Sequence, residues 1–481
     1  MPRSRNGCAT CRQRRVKCDE ARPACRRCIQ GHFTCSGFEP AKLAHSSIKV
    51  MDRSNPHAMQ YLRVQSYNIP FYAPGGPVER KALHYFFSYA SRDVSGLTAV
   101  GFWDRLVPCM CQRESVVRNS IIAFSLAHYN HAIAGKPAVI GRIDNRPDHD
   151  IIASYLKASK ALRRYIEHEA APSRIIVLAC CIIFHTIEAL LGQPQNAMVH
   201  LSKSLDILRT YQMDRSERDG LDLEFAEYID DLLPVLARLD LSATITNVGR
   251  SPELSSMTVG EGGNLPECSL TIASPFRDAL DAHNRLIRYS LPLWRYLASN
   301  VRFRNVDIRE VPESVLEERS RLRRACDEWQ KGLREYELEH RDDTLDRMTS
   351  LSMLVSGAHN IVGTKLLGES LSDRGDTDLW AEDQQAILRI CEEVLRLRDA
   401  EKEAQGFQQY GSFSSEVGIV GVLLLLAHRT WSPLVRRRAV ELAVKHDRHE
   451  GVSDLCEKFM TWVSLPAPRP HLVLLYSGPG H

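Results

Sequence analysis

The stretch Cys8-Ala-Thr-Cys11-Arg-Gln-Arg-Arg-Val-Lys-Cys18-Asp-Glu-Ala-Arg-Pro-Ala-Cys25-Arg-Arg-Cys28-Ile-Gln-Gly-His-Phe-Thr-Cys35 decides the fold of the N-terminus. Its six cysteines form two triplets, and the second triplet repeats the spacing of the first at an offset of 17 residues. A repeat this short indicates two copies of one small unit. In each copy the C-x2-C spacing places two sulfurs within one turn of chain, where both can reach one metal ion.

The number of cysteines predicts how many metal ions they hold. A structural zinc takes four thiolates at ~2.3 Å. One zinc would leave two of the six cysteines unused and break the repeat, whereas two zincs need eight contacts, so two sulfurs must bridge. Cys8 and Cys25, the equivalent first members of the triplets, are the natural bridges. The remaining two cysteines of each triplet would complete one zinc site each.

Other readings of the cysteines stay open from the residues alone. Thiolate ligation also suits iron–sulfur clusters or copper(I), although neither explains the repeat or the surrounding arginines. A disulfide knot is a further alternative, which a reducing compartment disfavours. A segment of ~30 residues buries too little surface to fold alone, so we expect the metal-free form to be unfolded.

The cysteine pattern, the basic run after Cys11 and Pro23, two residues before Cys25, resemble the fungal Zn2Cys6 binuclear-cluster transcription regulators. The match covers residues 8–35 without a gap. The resemblance implies double-stranded DNA as partner and two Zn²⁺ per chain, with the same two bridging cysteines. The predicted metal ligands are Cys8, Cys11, Cys18, Cys25, Cys28 and Cys35.

The basic residues around the cysteines predict a DNA-reading surface. A short helix starting near Cys11 would carry them into the major groove, where Arg and Lys can donate to guanine O6 and N7. The resemblance places the pair Arg14-Arg15 at the base-reading end and implies CGG-like triplets as the target. Arg26 and Arg27 would contact phosphates, which position but do not specify. The alternative is a solvated basic face. The predicted DNA-contacting residues are Arg12, Arg14, Arg15, Lys17, Arg26 and Arg27.

The charge of the chain is unevenly distributed. The 481 residues carry a formal net charge of +3, yet residues 1–35 hold nine basic and two acidic side chains, a charge of +7. Such asymmetry favours a nucleic-acid or membrane-surface partner at the N-terminus. The chain starts without an apolar signal, and its longest apolar runs are about ten residues, short of the ~20 that span a bilayer. We therefore expect a soluble intracellular protein without a membrane partner, and the resemblance to transcription regulators implies that it acts in the nucleus.

Composition divides the chain into three parts. Residues 1–36 are the predicted DNA-binding domain, and 37–77, rich in proline and lacking apolar heptads, are a predicted irregular linker. Dimerisation is then either absent or mediated by the body. Residues 78–481 predict an all-α body of antiparallel helices. The predicted helices are Glu79–Arg92, Ser115–Ala132, Asp150–Glu169, Arg174–Leu191, Ala197–Gln212, Leu221–Leu241, Pro275–Val301, Glu313–Glu339, Leu345–Leu371, Gln384–Glu403, Glu416–Trp431 and Pro433–Lys445.

The body also resembles the C-terminal fungal transcription-factor domain, through pieces such as Leu83-His-Tyr-Phe-Phe87 and His200-Leu-Ser-Lys-Ser-Leu-Asp-Ile-Leu208. That resemblance implies a regulatory role, with a co-regulator or a small-molecule effector as candidate partners. No P-loop, H-E-x-x-H or G-x-S-x-G motif occurs, so we expect no enzyme. His185 and Glu188, one helical turn apart, suit either a metal or acid–base pair or, as we favour, a core histidine with a glutamate at its rim.

Four further patterns of the body each allow two interpretations. The seven-residue repeat of Val315, Leu322, Trp329 and Tyr336 is a dimer seam or, as we favour, a core-facing stripe. The acidic and apolar residues of 217–233 are an activation segment or, as we favour, an amphipathic surface helix. Arg436-Arg437-Arg438 is a nuclear-import patch or plain helix surface. Gly260–Gly263 is read as a loop rather than a phosphate cradle.

Taken together, the predicted fold is mostly α: a small binuclear zinc-cluster DNA-binding domain, an irregular linker and a large all-α regulatory domain. The predicted function is sequence-specific regulation of RNA polymerase II transcription in the nucleus. The alternative is a zinc-stapled protein-interaction module without sequence-specific DNA binding.

Overall fold

The computed structural model describes two compact units, one within residues 1–69 and one within residues 70–481. The described residues are 8, 10–11, 14, 16–19, 25–35, 75–96, 101–134, 149–169, 172–217, 223–246, 250–254, 275–303, 306–341, 345–371, 380–405, 412–414, 418–445 and 448–450. In the small unit, Thr10 and Cys11 are helical and α1 spans Arg26–Gln30.

The large unit is mostly helical, close to the predicted all-α body, and its first group of helices surrounds one apolar core. These helices are α2 (Pro77–Tyr85), α3 (Ser91–Val94), α4 (Val107–Arg113), α5 (Ser115–Ala134), α6 (His149–His168), α7 (Arg174–Leu190), α8 (Pro194–Glu217) and α9 (Leu223–Thr246). Apolar residues line every side of α7, so it is the buried central helix, and it packs against α5 and α8. By contrast, α6 buries only one stripe, which includes Ile151 and Ala158.

The second group of helices surrounds a second apolar core. These helices are α10 (Ala279–Ser299), α11 (Glu313–Glu339), α12 (Arg347–Glu369), α13 (Gln384–Gln405), α14 (Ile419–Arg429) and α15 (Pro433–Lys445). Helix α10 joins the two cores, because Ile287 and Leu291 lie in the first and Leu286 and Leu293 lie in the second. Trp294 packs against both.

The seven-residue repeat of α11 faces the second core. Leu322, Trp329 and Tyr336 are buried, and the indole Nε1 of Trp329 donates to the carbonyl of Ala282 at 2.9 Å. Arg319, which interrupts the repeat, donates to backbone carbonyls at the end of α12. These side chains therefore stabilise the body internally and are not available as a dimer seam.

Three local features differ from the predicted elements. The first predicted helix contains a π-helical turn at Phe86–Ala90, and a second π turn, Phe102–Leu106, leads into α4, which was not predicted. The predicted helix 275–301 begins instead at Ala279, because the Asp278 carboxylate caps it by accepting from the Asp281 N–H at 2.8 Å. Two three-residue strands, Ser412–Ser414 and Arg448–Glu450, pair in parallel.

Among the helices that the structure describes, none combines the length and the apolar content needed to cross a bilayer.

Candidate metal centre and nucleic-acid interface

The two cysteine triplets repeat the same backbone hydrogen bonds. The N–H of Cys11 donates to Cys8 Sγ, and the N–H of Cys28 donates to Cys25 Sγ, each at 3.3 Å. In each copy the N–H five residues beyond the second cysteine also donates to the carbonyl of that cysteine, at 3.1 and 2.9 Å. The sequence repeat is therefore a structural repeat of two equivalent turns.

The six cysteine sulfurs form two overlapping groups of four. Within each group all ligand atoms lie within 4.8 Å of one another. Two cysteines, Cys8 and Cys25, belong to both groups. One group is Cys8, Cys11, Cys18 and Cys25, and the other is Cys8, Cys25, Cys28 and Cys35. Within the described part of the chain, no further cluster of His, Cys, Asp or Glu has this arrangement.

The sulfur separations fit zinc. Cys8 Sγ lies 3.6 Å from Cys25 Sγ and 3.7 Å from Cys28 Sγ. Tetrahedral Zn–S bonds of ~2.3 Å place two ligand sulfurs ~3.8 Å apart, whereas a disulfide requires ~2.05 Å. The described cysteines are all free thiols. The donor set therefore suits two four-coordinate zinc sites that share an edge of two sulfurs.

Burial opposes ionisation of the cysteines in the metal-free cluster. Cys8, Cys11, Cys25 and Cys28 are fully buried in the small unit, and in the metal-free protein burial raises the pKa of Cys11 to about 12. Burial also raises the pKa of the Cys8 and Cys25 thiols. Buried thiolates are costly without compensating positive charge. Coordinated zinc ions would supply that charge and would thereby keep the thiols deprotonated.

Two side chains connect the copies around this cluster. Thr10 Oγ1 donates to the carbonyl of Thr34 at 3.0 Å. The Asp19 carboxylate accepts from the backbone N–H groups of Arg26 and Arg27, at 3.1 and 3.3 Å, at the start of α1. Desolvation opposes ionisation of Asp19, but these N–H donors hold its pKa below the usual range. Asp19 thus fixes the second basic pair relative to the first triplet.

The predicted DNA-contacting residues that the structure describes are exposed. They are Arg14, Lys17, Arg26 and Arg27. Arg12 and Arg15 lie outside the described residues. The Arg14 N–H donates to the carbonyl of Thr10 at 3.0 Å, an α-helical turn at the predicted place. The Arg14 guanidinium carbon lies 3.4 Å from the centre of the Phe33 ring.

The candidate pair His185 and Glu188 bonds to other partners rather than forming a site. His185 Nδ1–H donates to the carbonyl of Ala197 at 2.8 Å, and burial lowers the pKa of His185 to about 4. Glu188 accepts from the Tyr155 hydroxyl and from Asn196 Nδ2. His185 is a core histidine, but Glu188 is 5% exposed and so is buried, not at the rim.

In the other candidate segments of the body, the side chains that the structure describes make structural contacts and form no metal or catalytic site. Arg436 donates to backbone carbonyls at the end of α14, Arg437 pairs with Glu441, and Arg438 pairs with Glu392. Gly260–Gly263 and most side chains of the acidic segment 217–233 lie outside the described residues. Of the body cysteines that the structure describes, Cys109 is exposed and the others are buried, namely Cys111, Cys180, Cys181, Cys326 and Cys391.

Sequence reasoning did not identify Thr10, Asp19 and the contact of Phe33 as parts of the site. Asp19 carried a signal, because an acidic residue beside a cysteine ligand can cap a nearby helix. The contact between Phe33 and Arg14 joins residues from opposite copies, and only the folded cluster brings them together.

Residues 6–44 match the family described as the fungal Zn(2)-Cys(6) binuclear cluster domain. The aspercryptin biosynthesis cluster-specific transcription regulator of Emericella nidulans is 26% identical over 357 residues, which cover 68% of this chain and 53% of that protein. Transcription activator AMTR1 of Alternaria alternata is 58% identical over 33 residues, 7% of this chain and 4% of that protein. Sterol uptake control protein 2 of Saccharomyces cerevisiae is 54% identical over 33 residues, with the same coverage.

The chain therefore spans about half the length of the first of these relatives and a small part of the other two. No solved structure matches it. The family match and the two shared-edge groups of sulfurs agree on the number of metal ions. At its N-terminus the chain carries a fungal Zn(2)-Cys(6) binuclear cluster domain, in which the clustered cysteines hold two zinc ions.

Proposed function

We propose that the protein is a nuclear, sequence-specific DNA-binding regulator of RNA polymerase II transcription. The observation that carries the proposal is the mounting of exposed cationic side chains on a cluster of six buried or half-buried sulfurs. A rigid cationic surface is what sequence-specific recognition of a duplex needs, since phosphate contacts and base contacts must be made in one register. The relatives named as transcription regulators and activators support the same class.

In this proposal Cys8 and Cys25, which belong to both groups of sulfurs, would each be a ligand of both zinc ions. Cys11 and Cys18 complete one site, and the last two cysteines of the second triplet complete the other. The bridging sulfurs also accept the N–H bonds that begin each repeated turn. Bound zinc would supply the folding free energy of the cluster and would keep the thiols deprotonated. The protein's own contribution is to orient the two basic segments.

Electrostatics supports DNA over a neutral partner. Residues 1–35 carry a formal charge of +7, and two zinc ions with six thiolates would bring that to about +5. Salt would weaken binding steeply, because each phosphate contact releases counterions. The remaining residues carry a net −4, so the body would add little to DNA affinity.

Sequence reading is assigned to the first copy. Arg14 and Arg15 would contact the bases of a CGG-like triplet in the major groove, with Arg12 and Lys17 beside them. Arg26 and Arg27 would hold phosphates, and their backbone is fixed by Asp19. Asp19 directly follows Cys18 of the first triplet, and α1 lies within the second triplet. The two bonds of Asp19 to α1 would therefore keep the base-reading and the phosphate-binding arginines in a fixed relative position.

The body is proposed to be the regulatory domain, over residues 78–481, joined to the cluster domain of 1–36 through a linker of 37–77. One triplet is too short for useful selectivity, which favours two half-sites and a homodimer. The repeat of α11 is buried within the body, so a homodimer would use another body surface. A co-regulator or a small-molecule effector would act through the same body.

Unbiased selection of binding sites from a random duplex library, with the purified full-length protein, tests this function. The proposal expects enrichment of CGG-like triplets, and the spacing of paired triplets would report a dimer. The main alternative, a zinc-stapled protein-interaction module, expects no enriched motif although the protein still contains two zinc ions. Recovery of the library without enrichment would therefore overturn the proposed function in favour of that alternative.

A further inference from the structure

The guanidinium of Arg14 is stacked on the ring of Phe33. The guanidinium carbon lies 3.4 Å from the ring centre, well within the ~6 Å over which a cation and an aromatic face attract each other. Arg14 belongs to the first copy of the repeat and Phe33 to the second. Phe33 is 46% exposed, so the ring is not buried as a core residue, and its open surface carries the arginine.

The backbone of the second copy fixes the position of the Phe33 ring. The Phe33 N–H donates to the carbonyl of Cys28 at 2.9 Å. His32, with a φ of 55°, turns the chain through the left-handed region just before the ring. Gly31 leaves the space that the ring fills, because a Cβ at this position would lie 2.9 Å from Phe33 Cδ2. The ring is therefore a fixed support.

The backbone of the first copy brings Arg14 to that support. The Arg14 N–H donates to the carbonyl of Thr10 at 3.0 Å, and Thr10 Oγ1 donates in turn to the carbonyl of Thr34, beside Phe33. Thr10 therefore connects the backbone at Arg14 to the backbone next to Phe33. The stacking restricts a long, flexible side chain before any partner binds.

We propose that Phe33 is a positioning residue for Arg14 and thereby a determinant of DNA sequence preference, an inference that rests on the proposed function. Stacking on Phe33 covers one face of the guanidinium, and because the N–H groups lie in the guanidinium plane, the stacking itself does not use them. The guanidinium edge carries the paired donors that match guanine O6 and N7. The second copy would thus contribute to base reading through its aromatic residue, in addition to phosphate binding.

The stacking lowers the entropy lost when Arg14 is fixed on DNA. A cation–π contact at an exposed site is worth about a two- to fivefold change in an equilibrium constant. We therefore expect Phe33→Leu to weaken binding to a CGG duplex by about that factor. Binding to a duplex without the triplet should change less, so the ratio of the two affinities should fall.

The test is a double-mutant cycle on the full-length, zinc-loaded protein. Kd values for CGG-containing and scrambled duplexes are measured for wild type, Phe33→Leu, Phe33→Trp, Arg14→Ala and the double variant Phe33→Leu/Arg14→Ala. We expect Phe33→Trp to retain the wild-type affinity ratio, because an aromatic face remains. In the Arg14→Ala background, Phe33→Leu should have no further effect.

Each outcome of this test has one meaning. Equal binding by Phe33→Leu and wild type, or an equal loss with and without Arg14, would overturn the positioning role. A wild-type protein that does not distinguish the two duplexes would instead overturn the proposed function. Metal analysis must return the wild-type zinc content for each variant. If Phe33→Leu loses zinc, Phe33→Met, which also lacks a ring, takes its place in the cycle.

Discussion

Cys8 Sγ and Cys25 Sγ lie 3.6 Å apart, and both atoms belong to each of the two groups of four sulfurs. The two residues are also equivalent in the repeat, because each accepts an N–H bond from the cysteine three residues later. This relationship makes them the expected bridges of the two zinc sites. The other four cysteines each belong to one group only.

Replacing a cysteine that belongs to both groups of sulfurs should remove more bound zinc than replacing a cysteine that belongs to only one group. Cys25→Ser removes a ligand from both groups of sulfurs, whereas Cys35→Ser leaves the first group complete. We expect two zinc ions in the wild-type chain, none in Cys25→Ser and at least one in Cys35→Ser, by native mass spectrometry. The matched control is Cys109→Ser, at an exposed cysteine of the body, which should retain two. One zinc per wild-type chain, or equal losses from both cluster variants, would contradict the shared-edge arrangement.

The packing of Phe276 on α11 predicts opposite effects at two helical glycines. A Cβ on Gly332 would lie 2.9 Å from Phe276 Cζ, whereas a Cβ on Gly368 of α12 would meet nothing within 4 Å. Overpacking costs ~1–3 kcal/mol and the helix propensity of alanine returns up to ~1 kcal/mol. Gly332→Ala should therefore lower the free energy of unfolding by about 1–2 kcal/mol, and Gly368→Ala should leave it unchanged or raise it. Urea denaturation of both variants measures this, and similar effects at the two glycines would refute it.

The buried His185 makes the stability of the body depend on pH. Burial is the main reason that its pKa falls from 6.5 to about 4; the Ala197 carbonyl opposes the shift, and His200 and Arg250 add to it. A histidine whose folded-state pKa is depressed contributes full stability above pH 6.5, and this contribution is lost as the pH falls toward 4.

Between pH 7 and pH 5, the free energy of unfolding should fall by about 2 kcal/mol more in the wild type than in His185→Gln. Chemical denaturation at the two pH values measures this difference. His149→Gln, at a side chain that is 94% exposed, is the control and should follow the wild type. If His185→Gln keeps the full pH dependence, another group causes it.

Arg26 and Arg27 should contribute affinity without selectivity. If both contact phosphates, Arg26→Ala/Arg27→Ala should weaken binding to CGG and scrambled duplexes alike. The slope of log Kd against log salt concentration should fall by about 2. The backbone N–H groups that bond to Asp19 remain in this variant, so the zinc content should not change. A selective loss on the CGG duplex would assign base contacts to these arginines.

The sequence predicted most helices of the body because their signals are local. Helix α11 begins at Glu313 and ends at Glu339, and α15 begins at Pro433 and ends at Lys445, all as predicted. An apolar stripe at helical spacing marks α11. A proline marks the start of each helix: Pro312 is the N-cap of α11, and Pro433 is the first residue of α15.

The parts that the sequence did not predict depend on contacts between distant residues. Strand Ser412–Ser414 pairs with Arg448–Glu450, and three residues are too few to show an alternating pattern. The contact between Arg14 and Phe33 likewise requires the folded cluster. The sulfur arrangement was predictable because the spacing repeats in the sequence itself. The contact of the Phe33 ring with Arg14 corresponds to no repeated spacing in the sequence, so it could not be predicted in the same way.

The central claim is that the cluster domain reads DNA sequence, and one comparison of affinities tests it most directly. The Kd for a CGG duplex is measured at physiological salt for the full-length wild type, for Arg14→Ala/Arg15→Ala and for Arg163→Ala/Arg437→Ala. The last variant removes the same charge from the body, at side chains that are 79% and 81% exposed. We predict at least about a tenfold loss for the cluster variant, because each base contact is worth ~1–3 kcal/mol, and little change for the body variant. Equal binding by the wild type and Arg14→Ala/Arg15→Ala would contradict the claim.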